Sequence, residues 1–237
     1  MNAKNTLESA LCFPDPAQAV SAVAERIGSI IQFSVRARGR ASLLLPGGRT
    51  PIPVFHALRD QDLPWNQVYI SLTDERRCPP DHSDSNARLI QEELLVGPAA
   101  NAHFYPLHRE GVDERADEAV CSAALGMLPR PYDAVMLGMG TDGHTASLFP
   151  QTDGLAKLLD LQTEARCATT TAPTAPQARI TLTLATLLHS RWIGLHVTGQ
   201  EKWHTLETAI ESEDVLSYPV LALLTQRQVP VHVYWSP

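Results

Sequence analysis

The chain has 237 residues, 44% hydrophobic and 19% charged, with a formal net charge of −7. That composition supplies a packed core and excludes a wholly disordered chain. The acidic balance argues against a nucleic-acid or anionic-membrane partner, so attraction of an anionic ligand has to come from a few placed Arg or Lys residues.

Taken in order, the opening MNAKNTLESALCFPDP has no apolar h-region, so no signal peptide is read. Residues 14–37 place Val20, Val23, Ile27 and Ile30 at helical spacing, with Asp15 as N-cap, Pro16 at the first helical position and Gly39 as the stop. ASLLL (41–45) is a short apolar run and reads as a buried strand ending in PGGRTP, where Thr50 is expected to cap a helix that begins at Pro51. VYISL (68–72) is a second strand, ending in TDER. Helices follow over 85–95, capped by Ser85, and over 113–127. AVML (134–137), RITLTL (179–184) and WIGLHVTG (192–199) read as strands, and TTTAPTAPQA (169–178) as a mobile loop. Residues 201–210 are expected to be helical, 220–226 a short helix, and VPVHVYW (229–235) the last strand.

Strands alternate with helices, and the central strands are apolar on both faces. The pattern predicts an α/β chain, a three-layer α/β/α sandwich with a mainly parallel central sheet, in one domain over residues 1–237. No run of about 20 uncharged apolar residues spans a membrane. Cys12, Cys78, Cys121 and Cys167 lack CxxC or zinc-finger spacing. The expectation is a cytoplasmic protein with reduced, mostly packed thiols and no metal site. Asp81, His82 and Asp84 read as a solvated loop and helix cap.

In an open parallel sheet, ligands bind outside the carboxyl ends of the strands. Three loops there are rich in glycine and charge. Gly47-Gly48-Arg49-Thr50 is equally a tight βα turn or a phosphate loop. Asp74 and Arg76 in TDERR place an acid and a base at a strand end. GMGTDGHTASLF (138–149) literally matches GxGxxG through Gly138, Gly140 and Gly143. Asp142 and His144 bracket the third glycine, however, and no strand-terminal acid follows at about 20 residues, Asp160 and Glu164 lying in polar surroundings, so a dinucleotide is not expected. Asp142 two residues from His144 on a glycine-freed turn instead suggests an acid–base pair, since a carboxylate fixes an imidazole's tautomer and raises its basicity. Lys202 falls in the first turn of a helix, where the macrodipole disfavours a cation. Arg179 opens its strand after the 169–178 loop. Ser147 lacks a GxSxG elbow, which argues against a serine hydrolase.

LLLPGGRTP, LTDERRCPPDHSDSN, LGMGTDGHTASLFP and RITLTLATLL followed by VTGQEK, in that order, resemble the 6-phosphogluconolactonase family within the glucosamine-6-phosphate isomerase/deaminase superfamily. The resemblance runs from about residue 15 to the end. It implies a modified Rossmann-type α/β/α fold without a nucleotide or other cofactor, acting on a small phosphorylated sugar lactone. It assigns Gly47, Gly48, Arg49 and Thr50 to the sugar-phosphate loop, and Arg179 and Lys202 to phosphate contacts. Asp74 and Arg76 line the site, and His144 is the base with Asp142 beside it. Attack of water on a lactone carbonyl also needs donors for the oxyanion, and the amides at 138–140, those of Gly138 and Gly140, or else Arg76, are the candidates. Arg49 stands where the superfamily often has Ser, and either contacts the phosphate or points away. The deaminating branch resembles DGHxAFNE, with a glutamate five residues after the histidine; Phe149 occupies that place and implies the ester-hydrolysing branch. A non-catalytic phosphosugar sensor is the reading from another class, and the sequence before residue 15 is too short for the DNA-binding segment such a sensor would carry. Oligomeric state is not legible.

Overall fold

The computed structural model describes residues 3–173 and 178–237. In chain order the elements are α1 (Ala3–Glu8), β1 (Leu11–Cys12), α2 (Pro16–Arg38), β2 (Ala41–Leu45), α3 (Ile52–Arg59), β3 (Val68–Leu72), β4 (Asp74–Arg76) and α4 (Asn86–Glu93). They continue as β5 (His103–Phe104), α5 (Glu114–Gly126), β6 (Ala134–Leu137), α6 (Leu155–Leu159), β7 (Cys167–Thr171) and β8 (Ala178–Leu182). The last are α7 (Leu184–Leu188), β9 (Ile193–Thr198), α8 (Gln200–Ser212), α9 (Val220–Thr225) and β10 (Val231–Ser236).

Seven strands form the main sheet in the order β1-β10-β9-β6-β2-β3-β5, and every neighbouring pair is parallel. β2, β6 and most of β9 are buried on both faces, as the unbroken apolar runs anticipate. The chain steps outward from β2 through β3 to β5, then returns to the other side of β2 for β6, β9 and β10. The reversal opens a crevice at the carboxyl ends of β2 and β6, the place where α/β sheets take their ligands.

The long helix follows its sequence signals. Asp15 Oδ1 accepts from Gln18 N at 3.0 Å, and Gly39, at φ 73°, donates its N–H to Val35 O at 2.8 Å. Its buried stripe is Ala19, Val23, Ala24, Ile27 and Ile31. Val20 and Ile30 sit at the margin of that stripe, half-buried.

Four readings change. β8 ends at Leu182, and Thr183 Oγ1 accepts from Thr186 N to start α7, so 183–184 are not strand. β8 is antiparallel and lies outside the main sheet, in a small sheet ordered β4-β8-β7. Residues 169–171 of the expected mobile loop belong to β7 and 178 to β8; residues 174–177 lie outside the described residues. Thr50 makes no cap: α3 begins at Ile52 with Pro51 in the N-cap place and no side-chain cap bond. Two-residue β1 and β5 and the six-residue α1 carried no periodic signal long enough to read.

Thr73 joins the two sheets. Its N–H donates to Leu45 O at 3.0 Å, and its carbonyl accepts from Leu182 N at 3.0 Å. The small sheet therefore overhangs the crevice from the β2–β3 side. Among the described residues no helix is long and apolar enough to cross a membrane. The four cysteines are free; Cys121 and Cys167 are buried, while Cys12 is exposed rather than packed.

Candidate active site

The turn after β2 approaches α4 closely. A Cβ at Gly47 would lie 1.8 Å from Asn86 Oδ1, so only glycine leaves room for the Asn86 side-chain amide against this turn. Asn86 is itself fixed, donating Nδ2 to Asp74 O at 2.9 Å. Glu75, the middle residue of the DER motif, points away from the crevice and accepts from Asn86 N at 2.7 Å and Ala87 N at 2.6 Å, satisfying free amides at the start of α4. Burial pushes its carboxyl above the usual range despite those bonds. Arg49 is exposed at the rim.

The turn after β6 is held at each step. Gly140 N donates to His144 O at 2.9 Å, Gly143 N to Gly140 O at 3.1 Å, and Thr145 Oγ1 to Gly138 O at 2.9 Å. The Gly140 amide is thus engaged within the turn, and the expectation that it faces an oxyanion is withdrawn. Asp142 Oδ1 meets His144 Nδ1 at 2.6 Å and accepts the His144 backbone N–H at 3.1 Å. Burial pushes the Asp142 carboxyl up, but the hydrogen bond and charge of His144 outweigh it and hold the acid below the ordinary aspartate range. With Nδ1–H donated to the carboxylate, the lone pair sits on Nε2, the nitrogen a base uses. A Cβ at Gly140 would lie 2.3 Å from the His144 ring, so the imidazole needs glycine there. Phe149 lies against the ring, centroids 4.7 Å apart. Ser147 is buried and donates Oγ to Asp74 Oδ2 at 2.5 Å, which ties this turn to β4 and occupies one oxygen of Asp74.

β4 and β8 pair so that Arg76 stands directly opposite Arg179. Like charges across a ladder repel. Arg179 is 8% exposed, and its Nε, like that of Arg76, is buried without a hydrogen-bond partner among the described residues. Burial first, then the Arg76 charge, oppose the Arg179 cation, with partial relief from Asp74, Asp84 and Glu75. Arg76 donates Nη1 to Asp84 O. The Arg179 guanidinium lies 5.9 Å over the Phe149 ring.

On the far wall, Gly199 at φ 96° turns β9 into α8 and puts Lys202 in the first turn. Burial lowers the lysine's pKa, with Glu201 opposing the shift. His196 of β9, which the sequence reading passed over, is 2% exposed beside it, and neither ring nitrogen has a partner among the described residues. The available signal was a polar residue near the carboxyl end of an otherwise apolar strand.

These groups line one cavity of about 380 Å³. Gly47, Gly48, Arg49, Thr50, Asp74, Arg76, Gly138, Gly140, His144, Arg179 and Lys202 all face it, joined by Asn86, Phe149 and His196; Asp142 stands behind His144. Among the described residues, five buried atoms of its walls have no partner: Arg76 Nε, Arg179 Nε, Asn86 Oδ1 and both nitrogens of His196. Unsatisfied polar atoms concentrated in one cavity mark a place for a polar ligand. A wider groove of about 830 Å³ between α1, α8 and α9 is rimmed by Glu8, Glu207, Glu211 and Glu213 and holds no histidine or arginine. Its larger volume is outweighed by its chemistry, since four glutamates against the one lysine, Lys4, repel an anionic ligand.

The family described as glucosamine-6-phosphate isomerases/6-phosphogluconolactonase matches residues 14–235. A 6-phosphogluconolactonase of Rhizobium meliloti (strain 1021) is 37% identical over 225 residues, covering 95% of this chain and 97% of its own. One of Pseudomonas putida is 40% identical over 215 residues, covering 91% and 86%. The crystal structure of a 6-phosphogluconolactonase from Shewanella baltica OS155 superposes with a TM-score of 0.92 at 40% identity, covering 98% of this chain and all of that one.

Proposed function

The chain belongs to the glucosamine-6-phosphate isomerase/6-phosphogluconolactonase family, and from that membership we propose that it hydrolyses 6-phospho-D-glucono-1,5-lactone to 6-phospho-D-gluconate, as one domain spanning the chain. The relatives' extent and identity support an enzyme of the lactone-hydrolysing kind in the pentose phosphate pathway. The observation that carries the reading is a shared cavity, lined by an imidazole that is backed by a carboxylate and by the cations Arg76, Arg179 and Lys202.

The substrate's phosphate sits against Arg179, Lys202 and the Gly47–Thr50 turn. Binding energy from that remote group holds C1 against His144. Nε2 of His144 takes a proton from water as its oxygen bonds to C1, and Asp142 stabilises the resulting imidazolium. Arg76, whose Nε lacks an acceptor, donates toward the oxyanion. The C1–O bond to the ring then breaks, and the ring oxygen takes the proton back from Nε2. The new carboxylic acid releases its own proton to solvent.

Phe149 against His144 supports hydrolysis over deamination. A phenyl ring relays no proton, and ring opening with isomerisation needs a second acid–base group at that point. The test is a stopped assay on freshly made lactone beside a no-enzyme blank, with ammonia release from glucosamine 6-phosphate measured in parallel. Lactone opening well above the blank without ammonia is expected; ammonia release, or no rate above the blank, overturns the assignment.

A further inference from the structure

His196 has no place in the mechanism above, yet its surroundings demand a partner. β9 alternates: Ile193, Leu195 and Val197 point to one face, and Gly194, His196 and Thr198 to the other. Leu195 pairs with Leu137, so His196 lies one step further, level with Gly138, where β6 gives way to the catalytic turn. The ring lines the cavity and is 2% exposed, with both nitrogens buried and unpaired among the described residues. An imidazole carries one donor and one acceptor when neutral, and leaving both unmet in a buried place is unfavourable. A merely packed position would be served better by leucine.

Lys202 is the charged neighbour that acts on this ring. A second cation there would repel the lysine, and burial further disfavours charge, so the ring stays neutral and presents an N–H. A neutral N–H beside an ammonium is a two-point grip for a phosphate: the lysine supplies charge, the ring direction.

We propose that His196 is a further substrate-binding residue, donating a ring N–H to the same phosphate that Lys202 contacts. The proposal rests on the functional reading above only for the identity of the substrate; the phosphate grip itself stands on the cavity.

The experiment compares wild type with His196→Leu and His196→Gln. Steady-state hydrolysis of fresh lactone is measured, together with inhibition by inorganic phosphate. Losing one hydrogen bond to a charged acceptor predicts a KM raised about tenfold or more in His196→Leu, with kcat within about threefold. The inhibition constant for inorganic phosphate should rise by a similar factor, and His196→Gln should recover part of both. An unchanged KM in folded His196→Leu overturns the proposal. So does a raised KM with unchanged phosphate inhibition, which would place the ring on the sugar hydroxyls. So does a fall in kcat alone. If wild type opens no lactone, thermal shift by inorganic phosphate replaces inhibition: a shift lost in His196→Leu supports the grip although the substrate is wrong, and a shift kept defeats it.

Discussion

Replacing Arg179 by methionine should weaken substrate binding far more than the fold. Arginine at this position faces Arg76 across the ladder and carries a buried Nε with no partner. Relief of a like-charge pair is worth about 0.2–1 kcal/mol, and removal of a buried unsatisfied donor about 1–3 kcal/mol. Against these stands the lost guanidinium contact with Phe149, 5.9 Å from the ring, which between two buried side chains is worth about 2 kcal/mol. Methionine keeps an unbranched apolar stem over that ring. The ligand-free variant should therefore lie between about 1 kcal/mol below and about 2 kcal/mol above wild type, with a melting temperature from about 3 °C lower to about 8 °C higher at roughly 2–4 °C per kcal/mol. Binding moves the other way. A charge-assisted contact contributes about 1.5–3 kcal/mol, so KM for the lactone should rise roughly 10- to 150-fold with kcat largely kept. The assays are initial rates on fresh lactone with the blank subtracted, and thermal scans in phosphate-free buffer. A variant with wild-type KM that melts several degrees lower would refute the reasoning, since the arginine would then be part of the scaffold.

Other outcomes follow from the same geometry. His144→Asn should lower kcat by about 10²–10⁴-fold while 6-phosphogluconate still binds, as calorimetry would show; near-normal turnover in the folded variant removes the base assignment. Asp142→Asn removes the negative charge behind Nδ1 while keeping an oxygen able to accept from it, and should lower kcat with little change in KM; equal losses in both would contradict its place behind the ring. Burial and then the Lys202 charge push His196 down to about 4. An unfolded imidazole titrates near 6.5, so as pH falls from about 6.5 to about 4 the unfolded chain takes up a proton that the folded chain refuses, and about 3 kcal/mol of stability is lost across that window. His196→Leu should lose less by that amount in denaturant melts, and parallel curves for the two proteins would speak against it. Gly47→Ala drives a Cβ to 1.8 Å from Asn86 Oδ1 and should destabilise by about 1–3 kcal/mol. Adding Asn86→Ala should recover part of that loss, and strict additivity would deny the contact.

The main sheet was legible because β2, β3, β6 and β9 are unbroken apolar runs, and runs buried on both faces belong to parallel sheets. α2 announced both of its ends through Asp15 and Gly39. The small sheet was not legible. β4 has three residues, and TDER reads as a charged loop until β8 is seen beside it. The same blindness split the site. The turns after β2 and β6 could be found from glycine and charge alone, because they end long strands at the switch point. The facing of Arg76 and Arg179 depends on a register between segments about a hundred residues apart, which no local pattern encodes. His196 was hidden for a related reason: one polar residue in an apolar strand is ordinary until the neighbouring strand shows what it faces. Thr50 misled because Ser/Thr before Pro is a common cap signal, while here the turn continues one residue further before α3 begins.

Phe149 lies against the His144 ring, and the Arg179 guanidinium sits 5.9 Å over its face. One rigid phenyl ring is thus a shared neighbour of the two groups that the proposed mechanism sets at the two ends of its substrate. On that mechanism their spacing is fixed by one side chain, and a lactone whose ester carbon and terminal anion are separated by the matching number of bonds reaches both together. A molecule one carbon shorter has to choose an end.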